Sequence, residues 1–285
     1  MPPKIWKPEE YNKQCVLQYN TAMSMLDTFS FKGNEKVLDI GCGTGNISYQ
    51  VATQRLTTGK LTGLDISHKM INFASKHYQA PNLSFEHNDV LTMRHGGCFD
   101  IALSFWTLSW VSIENQLEAL KNIIRSLNGE GKFFLMYPLK HEAYNIVDTV
   151  IKKPEWQPFF KGYSMPRSFI TEEQYQDNII SNIPMDISIE KKEIECRYKN
   201  DDEMLSSINC WLAHVDEIPH PKDKEKFLLD VVAAYKKYRN INEPTMFYSI
   251  LEITGNKNTL ENKFRNACRV KNNHPHSKLR LTCRK

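Results

Sequence analysis

The stretch Val37-Leu38-Asp39-Ile40-Gly41-Cys42-Gly43-Thr44-Gly45-Asn46 decides how this chain of 285 residues is read. Val37, Leu38 and Ile40 favour a buried strand. Gly41, Gly43 and Gly45 then alternate, and each removes a Cβ, so backbone N–H groups can close directly on a ligand. Ile47 to Ala52 continues as the first turns of a helix, whose N-terminus offers further donors. Strand, glycine turn and helix form the front half of a nucleotide-binding unit.

Nicotinamide and flavin cofactors prefer G-x-G-x-x-G, in which turn and helix hold a pyrophosphate. In this chain the third glycine comes one position early and Asn46 stands where that pattern wants it. Asp39 lies two residues before the turn; a carboxylate there repels a pyrophosphate and suits a cationic ligand. Two further strands extend the unit. Lys60 to Ser67 ends in Asp65, twenty residues beyond Gly45, where an acid at a strand tip can bond both ribose hydroxyls; Ile66 follows it, and Ser67 can cap the next helix. Leu83 to Val90 ends in Asn88-Asp89. A plain turn is the alternative reading of that pair.

The fourth strand, Phe99 to Phe105, contains Ser104 and leads into Trp106-Thr107-Leu108-Ser109-Trp110-Val111. Ile113, Leu117, Leu120, Ile124 and Leu127 then share one helix face. Asn128-Gly129-Glu130-Gly131 is expected to stop that helix and to start the fifth strand, Lys132 to Tyr137. This alternation predicts an α/β fold with a parallel, doubly wound sheet.

The pattern D-x-G-x-G-x-G, with the acids that follow, resembles the class I S-adenosylmethionine-dependent methyltransferases. The resemblance implies a Rossmann-like sheet of seven strands with an antiparallel last strand, expected at Thr245 to Ile253. A helical acceptor-binding insertion lies between strands six (185–198) and seven. It also implies S-adenosyl-L-methionine as cofactor, S-adenosyl-L-homocysteine as product, and no metal. Asp39, Gly41, Cys42, Gly43, Gly45, Asp65, Ile66, Asp89, Val90, Ser104 and Phe105 would bind the cofactor, with Asp89 at the adenine amino group. Cys42 is read as a small filler in the turn.

From about residue 11 to 254 the chain is similar to the group holding trans-aconitate methyltransferase and insect juvenile hormone acid methyltransferase. In that group a glutamine on the N-terminal helix and a tryptophan after strand four hold the acceptor carboxylate. Gln18 and Trp110 stand in those places; Ser109 departs from the insect-type motif, which has histidine there. The resemblance thus implies a small carboxylic acid as methyl acceptor. A carboxylate is already ionised near neutral pH and needs no general base. Amide and indole N–H groups can fix its oxygens without neutralising it. Tyr11, Tyr19, Phe105 and Trp106 are candidates to wall the methionine end or the acceptor.

The organisation expected is a catalytic domain over 1–254, with a cofactor-binding core at 33–139 and acceptor-side insertions at 140–182 and 199–243. A basic extension follows at 255–285, where nine Lys or Arg face one acid, Glu261, for a net +8. The chain carries +4 in total, so the body carries −4. An acidic body speaks against a nucleic-acid partner, which only the extension favours. Asn/Asp-Pro-Pro-Tyr/Phe and Pro-Cys, signatures of base-modifying enzymes, do not occur at strand four. Seven cysteines without C-x-x-C pairs, and no membrane-length apolar run, fit a cytoplasmic protein with reduced thiols. The competing readings are a methyltransferase of RNA or protein aided by the basic extension, and a non-catalytic interaction protein that keeps the fold.

Overall fold

The computed structural model describes residues 6–257. Within them, α1 (Pro8–Gln14) and α2 (Val16–Asp27) precede β1 (Lys36–Ile40), α3 (Asn46–Gln54), β2 (Lys60–Asp65), α4 (His68–His77), β3 (Leu83–His87) and β4 (Phe99–Ser104). Then come α5 (Gln116–Ser126), β5 (Leu127–Pro138), α6 (Glu142–Val150), α7 (Glu172–Asn178), β6 (Ile187–Arg197), α8 (Asp201–Trp211), α9 (Pro221–Arg239) and β7 (Thr245–Asn256). The strands form one sheet in the order β3-β2-β1-β4-β5-β7-β6. The first five run parallel, and β7 enters antiparallel between β5 and β6. This is the seven-stranded, doubly wound α/β architecture expected. The order reverses between β1 and β4, which opens a crevice at the carboxyl ends of those strands.

Period-two alternation along the central strands sorts side chains onto two faces. Leu38, Ala102, Phe133 and Leu135 join Ala119, Leu120 and Ile123 of α5 and Tyr175 of α7. Val37, Ile101, Phe134 and Met136 join Ala22 and Met25 of α2 and Val51 and Ala52 of α3. A third cluster lies outside the sheet, where Tyr144 and Val147 of α6, Met204 and Trp211 of α8, and Phe227, Val231 and Tyr235 of α9 pack on Met246 and Tyr248. α6, α8 and α9 therefore share an apolar cluster with the start of β7.

Two boundaries differ from expectation. Residues 127–131 belong to β5, because β4 and β5 pair Phe99 with Leu127 and then Ile101 with Lys132. Residues 128–131 bulge out opposite Asp100, and the Asn128 amide donates to the Asp100 carboxylate. Gly131 is needed in that bulge because a Cβ would lie 2.7 Å from Leu127 Cβ. At the other end, β7 continues to Asn256, past the boundary drawn at 254. Residues 258–285, which hold nearly all of the basic extension, lie outside the described residues. Among the described residues, no helix is long and apolar enough to cross a membrane.

Candidate functional site

The glycine turn is folded back on β2. The Gly41 and Cys42 N–H groups both donate to Leu64 O, at 2.6 and 2.9 Å, and Gly45 N donates to Cys42 O at 3.0 Å. All three glycines have positive φ: 71° at Gly41, 55° at Gly43 and 84° at Gly45. Their surroundings differ. A Cβ on Gly41 would strike the Thr107 side chain at 2.2 Å, and one on Gly45 would strike the Phe85 ring at 2.6 Å. A Cβ on Gly43 would meet only Tyr11 Cε1, at 3.8 Å. Gly41 and Gly45 thus serve close packing, and Gly43 faces open space.

That space is a cavity of about 310 Å³ at the carboxyl ends of β1, β2 and β4. Gly41, Gly43, Asp65, Ile66, Asp89, Val90, Phe105 and Trp110 line it, so eight of the thirteen expected site residues come together. Trp6, Tyr11 and Trp106 complete an aromatic wall. Trp6 meets Trp110 edge-on at 5.0 Å and Tyr11 at 5.4 Å. Three depressions are larger: about 810 and 530 Å³ along β6 and β7, and about 400 Å³ between α1 and the start of α9, which shares Trp6 and Tyr11 with this cavity; none of them touches the glycine turn.

Asp65 ends β2 with both oxygens engaged: Oδ2 accepts from Gly43 N at 2.9 Å and Oδ1 from Ser67 N at 2.8 Å. Burial raises its pKa, and those two N–H groups pull the other way. Each oxygen keeps a lone pair for a ligand hydroxyl. Ser67 Oγ caps α4 by accepting from Met70 N. Asp89 Oδ1 accepts from Leu91 N at 2.9 Å, which fixes the turn that presents Val90 and Leu91 to the cavity.

The other five expected residues lie behind this wall. Asp39 is buried beneath the turn, where Oδ2 accepts from Ser48 Oγ at 2.5 Å and burial raises its pKa to about 6. Cys42 is buried against Gly63, and burial holds its thiol well above the usual range. Ser104 Oγ donates to Ile40 O at 3.0 Å and ties β4 to β1. Gly45 precedes α3. Gln18 is buried on α2, and its Oε1 has no partner.

Two residues carry more than sequence reasoning gave them. Trp106 follows β4 with φ 61°, the left-handed region that bulky side chains avoid. Holding it there costs roughly 1–3 kcal/mol. Its ring lines the cavity and its Nε1 is buried with no acceptor. Arg167 is the other. It is buried beside Trp110, and its neighbours Pro166, Ser168 and Phe169 carry no sequence signal of a site. His141 sits nearby, between Tyr144, Trp211 and Tyr248, where burial and then the Arg167 charge lower its pKa to about 3.

The residues present fit an adenosyl sulfonium. The cavity joins an apolar slot (Ile40, Leu64, Ile66, Val90, Leu91) to the acids Asp65 and Asp89 and to an aromatic end. Carboxylates suit hydroxyl and amino groups, and aromatic faces suit a cation. Among the described residues, no lysine or arginine lines the cavity to receive a pyrophosphate.

Comparison with known proteins agrees. Residues 31–163 match a family described as "Methyltransferase domain". The chain is 26% identical over 242 residues to juvenile hormone acid O-methyltransferase of Bombyx mori, covering 80% of this chain and 86% of that one. It is 28% identical over 171 residues to a protein named as a methyltransferase, 235L, of Invertebrate iridescent virus 6, covering 60% of this chain and 63% of that relative. More than a third of the viral relative is thus unmatched. The fold superposes with a TM-score of 0.54, at 15% identity, on Haemonchus contortus phosphoethanolamine N-methyltransferase 2 in complex with S-adenosyl-L-methionine, covering 83% of this chain and 52% of that one.

Proposed function

This chain belongs to the class I S-adenosylmethionine-dependent methyltransferases, and we propose that it methylates a carboxylate oxygen of a small, largely apolar acid. The observation that carries the reading is Trp106, which lines the cavity and whose buried Nε1–H has no acceptor among the described residues. A strained residue that leaves a donor unpaired is doubly costly, and such sites are retained where a ligand completes them. Among the described residues, the histidine beside the Arg167 cluster is a poor base: His141, at about 3, does not take up a proton near neutral pH. An acceptor that arrives ionised needs none. The Bombyx mori relative, named as an acid O-methyltransferase, supports the same chemistry.

Bound S-adenosylmethionine supplies a methyl group on a sulfonium, with a neutral thioether as leaving group. In this reading Asp65 takes the ribose hydroxyls. Asp89 takes the adenine amino group, with Ile66, Val90 and Phe105 packing about the nucleoside. The open backbone at Gly43 lets the cofactor pass close, and Asp39, Cys42, Gly45 and Ser104 hold the turn from behind. Trp110 and Trp106 orient the acceptor oxygen by indole N–H donation, and Gln18 supports it from α2. Water-free placement at contact distance from the methyl is the protein's main contribution.

The test is methyl transfer from labelled S-adenosylmethionine to a panel of straight-chain and branched acids, with matched alcohols and amines. A carboxylate acceptor yields label that mild alkali releases as methanol. Label confined to alkali-stable products, on amine, hydroxyl or RNA, overturns the reading.

A further inference from the structure

We propose that Arg167 is the specificity-determining cation of the acceptor site, acting through Trp110 to select acceptors that carry negative charge. The inference rests on the carboxylate reading and names the group that enforces it.

Arg167 is 9% exposed, and among the described residues it has no carboxylate partner. Its Nε and Nη2 donate to Ser109 Oγ at 3.3 and 2.8 Å, and Nη1 donates to Tyr144 OH at 2.8 Å. The guanidinium lies 4.9 Å from the Trp110 ring centroid and 5.2 Å from that of Phe169. Among the described residues, every group it bonds or stacks on is neutral. Arg55, Arg125, Arg197 and Arg239, by contrast, each pair with a carboxylate: Asp27, Glu118, Glu195 and Glu142. Hydroxyls and ring faces recover part of the desolvation cost of a buried cation, and a nearby anion would recover more.

Its position is fixed from several elements. Ser168 N donates to Ser109 O at 2.6 Å, and Tyr137 OH donates to Ser168 O at 2.6 Å, so the strand end, the turn after β4 and the Arg167 segment are stitched together. Tyr144 brings in α6. The side chain stands directly behind Trp110, which lines the cavity. The charge also reaches the cavity: it favours ionisation of Tyr11, a lining residue, against the burial that raises that pKa. A guanidinium in contact with the reacting oxygen would blunt it as a nucleophile. Set one ring away, it attracts the anion and leaves the oxygen lone pairs to neutral donors. A purely structural tie between Ser109 and Tyr144 would need no charge.

The test measures binding of octanoate and of its neutral isostere octanamide to the S-adenosylhomocysteine-loaded protein by calorimetry. Wild type should prefer octanoate by at least about tenfold, the size of effect a charge at this separation exerts in a partly screened interior. Arg167→Lys should keep that preference, and Arg167→Gln should lose it, with S-adenosylhomocysteine affinity unchanged in both. A Gln variant that binds S-adenosylhomocysteine normally and still prefers octanoate as wild type does overturns the proposal. If the Gln variant does not fold, a Lys variant with normal S-adenosylhomocysteine affinity and no preference does the same. Wild type without preference, or with no binding of either probe, counts instead against the carboxylate reading itself.

Discussion

Asp65 Oδ2 accepts a hydrogen bond from Gly43 N at 2.9 Å, so the acid that ends β2 is bonded to the turn that ends β1. The two groups that would meet the ribose and the methionine end of a cofactor are thus set against each other before it arrives. Replacing Asp65 by Ala should weaken S-adenosylhomocysteine binding by roughly 1–3 kcal/mol, the cost of a lost charge-assisted hydrogen bond. Titration calorimetry measures this directly. Unchanged affinity would remove the ribose role.

The glycine turn predicts a split between folding and binding. Gly45→Ala places a Cβ 2.6 Å from the Phe85 ring and 2.9 Å from Ala74 Cβ at φ 84°, so it should lower the melting temperature clearly. Gly43→Ala carries the backbone strain of φ 55° but its Cβ meets nothing closer than 3.8 Å and projects into the cavity, so it should cost less stability than Gly45→Ala and more cofactor affinity. Thermal melts and calorimetry on both variants check the pair. Equal effects on both properties would contradict the placement of the cofactor over Gly43.

Asp39 gives a pH dependence with a definite sign. Burial raises its folded pKa to about 6, above the value near 3.9 of an unfolded chain. The folded state therefore binds the proton more tightly. Asp39's stabilising contribution is complete below pH 4 and disappears as pH rises through 6. Asp39→Asn removes the ionisation and keeps an oxygen for Ser48. Relative to wild type, the variant should gain about 3 kcal/mol between pH 4 and pH 7.5, the free energy that separates a carboxyl titrating near 4 from one titrating near 6. Denaturant melts at the two pH values read the difference. A gap between variant and wild type that stays constant with pH would show that Asp39 titrates normally.

Trp106→Phe deletes an N–H that has no partner among the described residues and leaves an aromatic ring in place. Turnover of the acid should fall about tenfold, the loss of one oriented hydrogen bond in the transition state, with cofactor affinity retained. Steady-state kinetics on an acid found by the transfer panel, with calorimetry on S-adenosylhomocysteine, checks this. Full turnover in the Phe variant would assign the strained backbone at 106 to something other than acceptor binding.

Much of the fold was legible because its signals are local. Hydrophobic strands ending in Asp39, Asp65 and Asp89 alternate with helices, and Thr245 to Ile253 reads as a strand by its β-branched and aromatic residues. The Asn128-Gly129-Glu130-Gly131 stretch misled because glycines in a strand bulge look like a helix stop until the partner strand is known. On the cofactor side, the residues meeting at the cavity come from the ends of β1, β2, β3 and β4, each with its own sequence mark. The acceptor side was less legible. Arg167 becomes a candidate only when Ser109, Tyr144 and Trp110 are brought around it from separate parts of the chain. The strain at Trp106 is a backbone angle that no residue type announces. Asp39 reads as a ligand group from its place beside the turn, whereas its side chain points to Ser48 beneath it.

The most direct test of the account is a crystal structure of the protein grown with S-adenosylhomocysteine. The nucleoside should lie in the cavity of about 310 Å³, its ribose hydroxyls on Asp65, its adenine beside Asp89 and Val90, and its sulfur facing Trp106 and Trp110. A ligand bound elsewhere, or a cavity with no ligand density at saturating concentration, would contradict it.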